Sequence, residues 1–502
     1  MKNNQFNYYL KNDNHQDNNN WLESIDWLKI TIDYQEKSSY LAEKQTVYKV
    51  TSKLTGFPII PDDLILRDYQ KEAIINWFKN KGRGTLKMAT GSGKTITALA
   101  IVNELYNKIN LEILLVICPF RHLVIQWAKE SEKFNLKPIL AFENIHTWQS
   151  DLSHQLYQVQ IKKQKFLTII TTNATFISDG FQSQLPFFTE KTLLIGDEAH
   201  NLGSPKLQAC LPNTIGLRLA LSATPERHYD EDGTEALINY FGTVLKPEFT
   251  LANAIQAKAL VSYNYYPILV ELTASEAQIY AKLTTKICWE LAKDSGGNNP
   301  QLNRLLFARS RLVGNASNKL GALKDLMKDR LDTYATLFYC GDGYSYYEGK
   351  KEKQVTLVTR ILGRELNYRV NIYTAETPLG ERELITQQLQ RGDLQGIVAI
   401  RCLDEGIDIP MIENAVILAS SGNPRQFIQR RGRILRPHEG KKMATLFDMI
   451  VIPPELDREV WVVERNLLKK ELKRFIEFAN LANNRRGALE KLLELQNYFQ
   501  LD

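Results

Sequence analysis

Met88-Ala-Thr-Gly-Ser-Gly-Lys-Thr95 stands between a short strand-like run, Thr85-Leu-Lys-Met88, and a stretch carrying Ile96, Leu99, Ala100 and Val102 at helical spacing. The change of period predicts a strand running straight into a helix, with the glycines at the turn. Gly91 and Gly93 let the backbone curl so that successive N–H groups point at one anion, and Thr90 and Ser92 complete the curl. The helix opening at Lys94 adds its positive N-terminal end. Lys94 supplies charge to β- and γ-phosphates, and the Thr95 hydroxyl can ligate Mg²⁺. The general pattern of such loops has glycine where this chain has Met88, one departure from an otherwise complete phosphate cradle.

Outward from this loop, apolar strand-like runs alternate with helical patterns over residues 64–250, which predicts a parallel sheet covered by helices. The expected strands are Thr85–Met88, Ile113–Cys118, Leu167–Ile170, Leu193–Ile195 and Leu217–Leu221. A helical stretch from about Ala274 to Asp294 and a Ser-Gly-Gly-Asn-Asn-Pro break at 295–300 follow. The alternation then resumes at Ala335–Cys340, Tyr368–Tyr373, Gly396–Ile400, Ala415–Ala419 and Ala444–Phe447. The fold class is therefore α/β, with two similar domains in tandem. We expect an N-terminal extension over 1–57, domains over 58–255 and 256–452, and a helical tail over 453–502.

The first twenty residues are crowded with Asn, Gln and Asp and are expected to be disordered. Beyond them, Trp21, Ile25 and Leu28 share one helical face and Thr46–Thr51 alternates like a strand. In the tail, Leu467, Leu468, Leu472, Phe475, Ile476 and Leu481 form an apolar stripe that Asn483-Asn-Arg-Arg-Gly487 interrupts. Such a stripe suits either a helical hairpin docked on the second domain or a helix that binds a partner.

At 502 residues the chain exceeds one core, and 44% hydrophobic residues make it globular. Charge is 63 Lys+Arg against 57 Asp+Glu, a net +6 too mild to identify a polyanionic partner by itself. Cysteines 118, 210, 288, 340 and 402 form no C-x-x-C pair, so structural zinc is not expected and the thiols read as reduced core residues. No run of 18 apolar residues exists, and the N-terminus lacks the apolar stretch of a signal peptide. A cytoplasmic protein without a membrane span is the expectation.

Asp197-Glu-Ala-His200 follows the apolar run Leu193–Ile195, at a strand's C-terminal end. There Asp197 would hold Mg²⁺ through a water, and Glu198 would position and deprotonate an attacking water. Upstream, Leu66-Arg67-Asp-Tyr-Gln70 opens a helix continued by Ala73, Ile74 and Trp77, and the Gln70 amide could read an adenine edge. Far downstream, Gln429-Arg-Arg-Gly-Arg-Ile-Leu-Arg436 spaces its arginines too regularly for a nonspecific basic patch.

In this order the segments resemble the motifs of superfamily 2 helicases, and within them the XPB-like repair helicases and the motor subunits of type I and III restriction enzymes. The resemblance spans about residues 64–450. Leu66 to Gln70, with Arg67, resembles the adenine-reading segment, and Met88 to Thr95 resembles motif I. Cys118-Pro-Phe-Arg-His-Leu-Val-Ile-Gln-Trp127 is similar to motif Ia and Thr171-Thr172 to motif Ib. Asp197 to His200 is similar to the DEAH form of motif II, and Ser222-Ala-Thr-Pro225 to motif III. Phe338-Tyr-Cys-Gly341, Leu403-Asp-Glu-Gly-Ile-Asp-Ile-Pro410 and Gln429 to Arg436 are similar to motifs IV, V and VI. Arg401-Cys402 departs from the family, which often has threonine before motif V.

The resemblance implies two RecA-like domains that close on ATP and Mg²⁺ and step along nucleic acid. Arg433 and Arg436 would act as arginine fingers, Gln429 would sense the nucleotide, Asp408 would approach the ribose, and Gly406 would belong to the nucleotide-binding set. His200, Ser222 and Thr224 would relay nucleotide state to the strand-binding face. Arg121, Gln126, Thr171, Thr172 and Gly341 are the candidate nucleic-acid contacts, while Trp127, one helical turn after Leu123, reads as core. The segment Gly341 to Lys353 interleaves tyrosines with lysines and reads either as a base-stacking element or as a mobile connection.

DNA is favoured over RNA because the motif wording resembles DNA motors. No P-D…E-x-K or His-rich cluster suggests a fused nuclease, so cleavage in a restriction or antiviral defence role would need a partner nuclease or other protein. The alternative from another class is a nucleotide-gated clamp that binds nucleic acid without stepping.

Overall fold

The computed structural model describes residues 20–40, 55–226, 230–293, 299–374, 376–400, 409–419, 432–456 and 458–499. The chain divides into two compact units, one of Met1–Ala89 with Gly93–Thr250 and one of Thr90–Ser92 with Leu251–Asp502. Among the described residues, no helix is long and apolar enough to cross a membrane.

In the first unit seven strands form one sheet: β1 Arg83–Met88, β2 Ile113–Cys118, β3 Pro138–Ala141, β4 Leu167–Thr172, β5 Thr192–Asp197, β6 Leu217–Ser222 and β7 Val244–Phe249. Their order is β3-β4-β2-β5-β6-β1-β7, with every pair parallel. Strands β2, β4, β5 and β6 are buried along their whole length. Continuous apolar runs are what a sheet covered on both faces requires. One cluster joins Ile113, Leu115 and Ile117 to Leu152, Leu156 and Val159 of the Gln149–Gln160 helix and to Phe176 and Phe181.

The helix Lys94–Ile109 also runs through the interior, with Ala98, Leu99, Ile101, Val102 and Leu105 without exposure. It ends at Asn110 in the left-handed region, φ 54°. Asn is among the few side chains that tolerate that conformation.

The N-terminal residues pack differently from the expected face. The helix restarts at Trp27, where the Asp26 carboxylate accepts from Lys29 N–H at 2.9 Å, and the restart rotates the buried stripe. Trp27, Ile30, Thr31 and Tyr34 are buried, whereas Leu28 is 72% exposed. Trp27 meets Trp77 edge-on, and Lys37 pairs with Glu104 at 2.6 Å, so this helix is tied to the first unit. The strand expected over Thr46–Thr51 and the first nineteen residues lie outside the described residues.

The second unit contains β8 Ser262–Glu271, β9 Thr336–Cys340, β10 Tyr344–Tyr347, β11 Lys350–Lys353, β12 Val370–Tyr373, β13 Gly396–Ile400, β14 Asn414–Ile417 and β15 Met443–Ile452. Six of these form a parallel sheet in the order β12-β13-β9-β14-β15-β8, while β10 and β11 pair as a separate antiparallel hairpin. Its core sets Phe338, Val398, Val416 and Leu418 against Leu320, Leu323 and Met327 of the Asn318–Lys328 helix. Both units are parallel-sheet α/β domains, as expected.

The tail is a docked helical pair, Arg458–Asn480 and Arg485–Tyr498. Leu468, Leu472 and Phe475 are buried, and Tyr263 stacks on Phe478 with centroids 4.4 Å apart. Between the helices, the Asn484 amide accepts from Tyr265 N–H at 2.8 Å and donates to Tyr265 C=O at 2.9 Å. That amide behaves as a one-residue strand against the edge strand β8, satisfying groups an open edge leaves unpaired. The second anchor is ionic: Arg309 donates to Glu464 at 2.9 Å and to the Tyr280 hydroxyl at 2.5 Å, with the Glu464 side chain wholly buried.

Candidate functional site

Strand β1 ends at Met88, and the chain curls into the Lys94–Ile109 helix through Gly91 at φ 82° and Gly93 at φ 87°. Both values lie where an L side chain is strained. A Cβ on Gly93 would also lie 2.6 Å from Gln70 Nε2, so the Gln70 amide would have to move aside for any side chain there. Met88 is the last residue of a buried strand, 1% exposed, which explains an apolar side chain where the general loop pattern has glycine.

Gln70 is 4% exposed, contrary to the surface position usual for a lone glutamine. Its amide accepts from Arg67 N–H at 2.9 Å and donates to Gly93 C=O at 3.3 Å, tying the start of the Asp68–Lys79 helix to the loop. Beside it Tyr69 stacks on Phe249, with centroids 3.6 Å apart. Lys94 lies back along the loop: Nζ donates to Met88 C=O at 3.1 Å and stands 4.0 Å from Glu198 Oε1. Thr95 follows in the first helical turn and is partly exposed.

Asp197 closes β5, and its carboxylate is held from two sides. Oδ1 accepts from Glu198 N–H at 2.9 Å, and Oδ2 accepts from the Trp127 indole at 2.9 Å. Trp127 is core as expected, 1% exposed on the Arg121–Lys133 helix, yet its polar edge supports the acidic site. The sequence carried that signal, since a buried indole N–H nearly always needs an acceptor. Glu198 sits at φ 45°, a conformation that costs a non-glycine residue roughly 1–3 kcal/mol and is found preferentially at functional positions. The Cys118 thiol at the end of β2 is pushed well above its ordinary value by burial and by the Asp197 and Glu198 carboxylates, so negative charge is focused on this edge of the sheet.

The residues named for the relay lie together within the first unit. His200 Nδ1 is 3.2 Å from Ser222 Oγ and 3.6 Å from Glu198 Oε2, and Ser222 Oγ accepts from Thr224 N–H at 3.2 Å. Lys94, Asp197, Glu198, His200 and Ser222 thus gather at the C-terminal edge of one parallel sheet. This is the edge where doubly wound sheets bind ligands.

In the second unit Arg433 and Arg436 lie on and just after a helical turn over 432–434. Leu435 C=O accepts from Val261 N–H at 2.8 Å, and Lys441 Nζ donates to Ile434 C=O at 2.5 Å and to Pro410 C=O at 2.9 Å. Gly406, Asp408 and Gln429 lie outside the described residues.

The strand-contact candidates divide. Arg121 is exposed and pairs with Glu143 at 2.6 Å, a surface pair worth about 0–1 kcal/mol that a phosphate could displace. Gln126 is partly exposed on the same helix. Thr171, by contrast, has no exposure and donates to Ala141 C=O at 2.7 Å, and the Thr172 hydroxyl accepts from Thr175 N–H at 3.2 Å. Gly341 N–H is taken by Gln354 Oε1 at 2.6 Å. Each of these three spends one of the groups it would offer to a strand on a partner within its own domain. The Gly341 to Lys353 segment is corrected from a connection to the β10–β11 hairpin.

Residues 63–227 match the family described as "Type III restriction enzyme, res subunit", and residues 340–438 match "Helicase conserved C-terminal domain". The chain is a superfamily 2 helicase-type motor, an ATP-hydrolysing enzyme of the group that XPB-like helicases and restriction-enzyme motors represent. It is 27% identical over 438 residues to the DNA 3'-5' translocase XPB2 of Sulfurisphaera tokodaii, spanning 84% of this chain and 90% of that protein. It is 26% identical to putative helicase 22 of a Sulfolobus islandicus filamentous virus and 24% to the putative DNA 3'-5' helicase Rad25 of Haloarcula marismortui, covering 77% and 76% of this chain. The matches span 64% and 52% of those two longer proteins. In fold it is similar to the ATP-dependent type ISP restriction-modification enzyme LlaBIII bound to DNA, with TM-score 0.53, 19% identity, and coverage of 84% of this chain and 31% of that one.

Proposed function

We propose that the chain uses ATP·Mg²⁺ hydrolysis to move along DNA, and that the cluster of Lys94, Asp197 and Glu198 is the hydrolytic site. The observation that carries the reading is the edge geometry: a left-handed glycine cradle, a lysine 4.0 Å from a strained glutamate, and an aspartate fixed by an indole and a backbone N–H. These groups fit ATP·Mg²⁺ by donor set, since the loop offers N–H groups and a cation to phosphates while Thr95 and Asp197 offer oxygens to a metal.

When bound, ATP·Mg²⁺ supplies the transferable phosphoryl group and the cation that neutralises its charge. Lys94, which donates to the Met88 carbonyl in this structure, would supply charge to the β- and γ-phosphates. Thr95 Oγ1 and Asp197 are the groups that would hold the metal. Glu198 takes the proton of the attacking water. Arg433 and Arg436 would stabilise charge on the γ-phosphoryl, Gln429 would sense the nucleotide, Asp408 would approach the ribose, and Gly406 would belong to the nucleotide-binding set. His200, Ser222 and Thr224 carry the state of Glu198 toward the polynucleotide face, where Arg121 and Gln126 contact phosphates. DNA is favoured as the track because the relative of nearly equal length is described as a DNA translocase.

The reading is tested by steady-state ATP turnover with and without DNA. Turnover should rise on adding DNA, fall steeply with salt as phosphate contacts are screened, and vanish in Lys94→Ala. Turnover indifferent to DNA would favour a clamp, and turnover surviving Lys94→Ala would remove the phosphate-loop assignment.

A further inference from the structure

The β10–β11 hairpin is built to show two different faces. Its turn places Glu348 at φ 48° and Gly349 at φ 76°, the paired positive values that a two-residue hairpin turn demands. Cross-strand partners are Tyr344 with Lys353, Ser345 with Glu352, Tyr346 with Lys351, and Tyr347 with Lys350. Because side chains alternate, Tyr344, Tyr346, Lys351 and Lys353 share one face.

The opposite face is fastened to the domain. Ser345 is 1% exposed and donates to Asn315 C=O at 2.7 Å. The Tyr347 hydroxyl donates to Glu365 at 3.0 Å, and Glu352 accepts from Arg360 at 2.8 Å. At its base Gln354, fully buried, donates to Gly314 C=O at 3.1 Å and accepts from Gly341 N–H, while Arg311 donates to Asp342 C=O at 2.9 Å. The hairpin is therefore a rigid ledge following the C-terminal end of β9.

On the outward face Tyr344 and Tyr346 are each 55% exposed, and Lys351 lies 5.5 Å from the centre of the Tyr346 ring. Two phenol rings set two residues apart, each opposite a lysine, form an alternation of flat apolar surface and positive charge. Folding alone does not call for it, since the opposite face already supplies the anchoring. A single nucleic-acid strand has the complementary alternation, bases that stack and phosphates that attract cations.

We propose that this face is a stacking platform for a single strand of DNA, with Tyr344 and Tyr346 taking bases and Lys351 and Lys353 taking phosphates. The proposal rests on the motor reading and adds to it the element that grips the strand in the second domain.

The test is equilibrium binding of a fluorescent oligothymidylate and of the same backbone without bases, using the full chain. Tyr344→Ala and Tyr346→Ala should each weaken oligothymidylate binding by about fivefold or more, the scale of one base stack removed, and should leave binding of the abasic strand unchanged. Phenylalanine at either position keeps the ring and should restore binding to within about twofold. The Lys351→Gln, Lys353→Gln double variant should lower the slope of log affinity against log salt by about 0.7 for each phosphate no longer neutralised.

Alanine variants that bind oligothymidylate like the wild type, or that lose abasic and normal strands equally, would overturn the platform while leaving the motor reading in place. Tyrosine dependence seen with oligouridylate only would overturn the assignment to DNA. A wild-type chain that binds neither single-stranded probe would overturn the platform and leave the motor reading to its own test on duplex DNA.

Discussion

Replacing Trp127 with Phe keeps an aromatic ring in the core and deletes one interaction that reaches the acidic site. The indole donates to Asp197 Oδ2 at 2.9 Å, and the remaining donor on this carboxylate is Glu198 N–H at 2.9 Å on Oδ1. A hydrogen bond to a charged acceptor is worth about 1.5–3 kcal/mol, and at about 1.4 kcal/mol per tenfold this corresponds to roughly 10- to 100-fold in whatever Asp197 holds. Loss of an outer partner of a metal-binding group falls in the same range, roughly 10- to 100-fold in metal affinity or activity. We therefore expect the Mg²⁺ concentration for half-maximal ATP turnover to rise by about that factor in Trp127→Phe, with much of the rate recovered at high Mg²⁺. The assay is ATP turnover across a Mg²⁺ titration, with thermal melting in parallel to register the smaller ring. Core loosening alone lowers the rate at every Mg²⁺ concentration and is not rescued by the metal. A Mg²⁺ dependence identical to wild type would refute the claim that Trp127 orients Asp197.

Two further expectations concern the second domain. Arg309→Met leaves Glu464 buried with, among the described residues, the Tyr280 hydroxyl as its remaining donor, and breaking a buried pair costs about 3–5 kcal/mol, so denaturant unfolding of that domain should shift by that amount. Adding Glu464→Gln should return part of the loss, and unchanged unfolding of the single variant would show that the tail is held without this pair. Lys319, fully buried and donating to Leu418 C=O at 2.5 Å, is pushed down to about 8 by burial, partly offset by Asp448, Glu276 and Glu471. Between about pH 8 and its ordinary value of 10.5 the unfolded chain therefore binds more protons at this site than the folded one, so its contribution makes stability rise with pH across that window and stay level below it. Denaturation midpoints for wild type and Lys319→Met should converge or diverge only in that window, and parallel curves would contradict the buried titration.

The central strands were legible because their apolar runs are unbroken, and Ile113–Cys118 and Gly396–Ile400 stand where the sequence placed them. The strands that escaped are β3, β7 and β8, each at an edge of its sheet and each carrying a proline: Pro138, Pro247 and Pro267. Proline weakens a strand reading because it cannot donate to the ladder, yet an edge strand can leave that donor unneeded. The short β10–β11 hairpin escaped because its anchoring lies in Ser345, Gln354 and Tyr347, whose partners are far away in sequence. At the site, spacing was enough to single out Lys94, Asp197 and Glu198, while the family resemblance pointed to the His200–Ser222 link. It did not show that Thr171 and Gly341 spend their polar groups internally, because that depends on Ala141 and Gln354 arriving from other elements.

The central claim, that ATP hydrolysis drives movement along DNA, is met most directly by displacement of a third strand from a DNA triplex. With ATP, the wild-type chain should strip the third strand at a rate that follows ATP turnover, and a non-hydrolysable analogue should not support it. Glu198→Gln should bind ATP and DNA yet leave the triplex intact. Brisk DNA-stimulated ATP turnover by the wild type without displacement would contradict translocation and leave a nucleotide-gated clamp in its place.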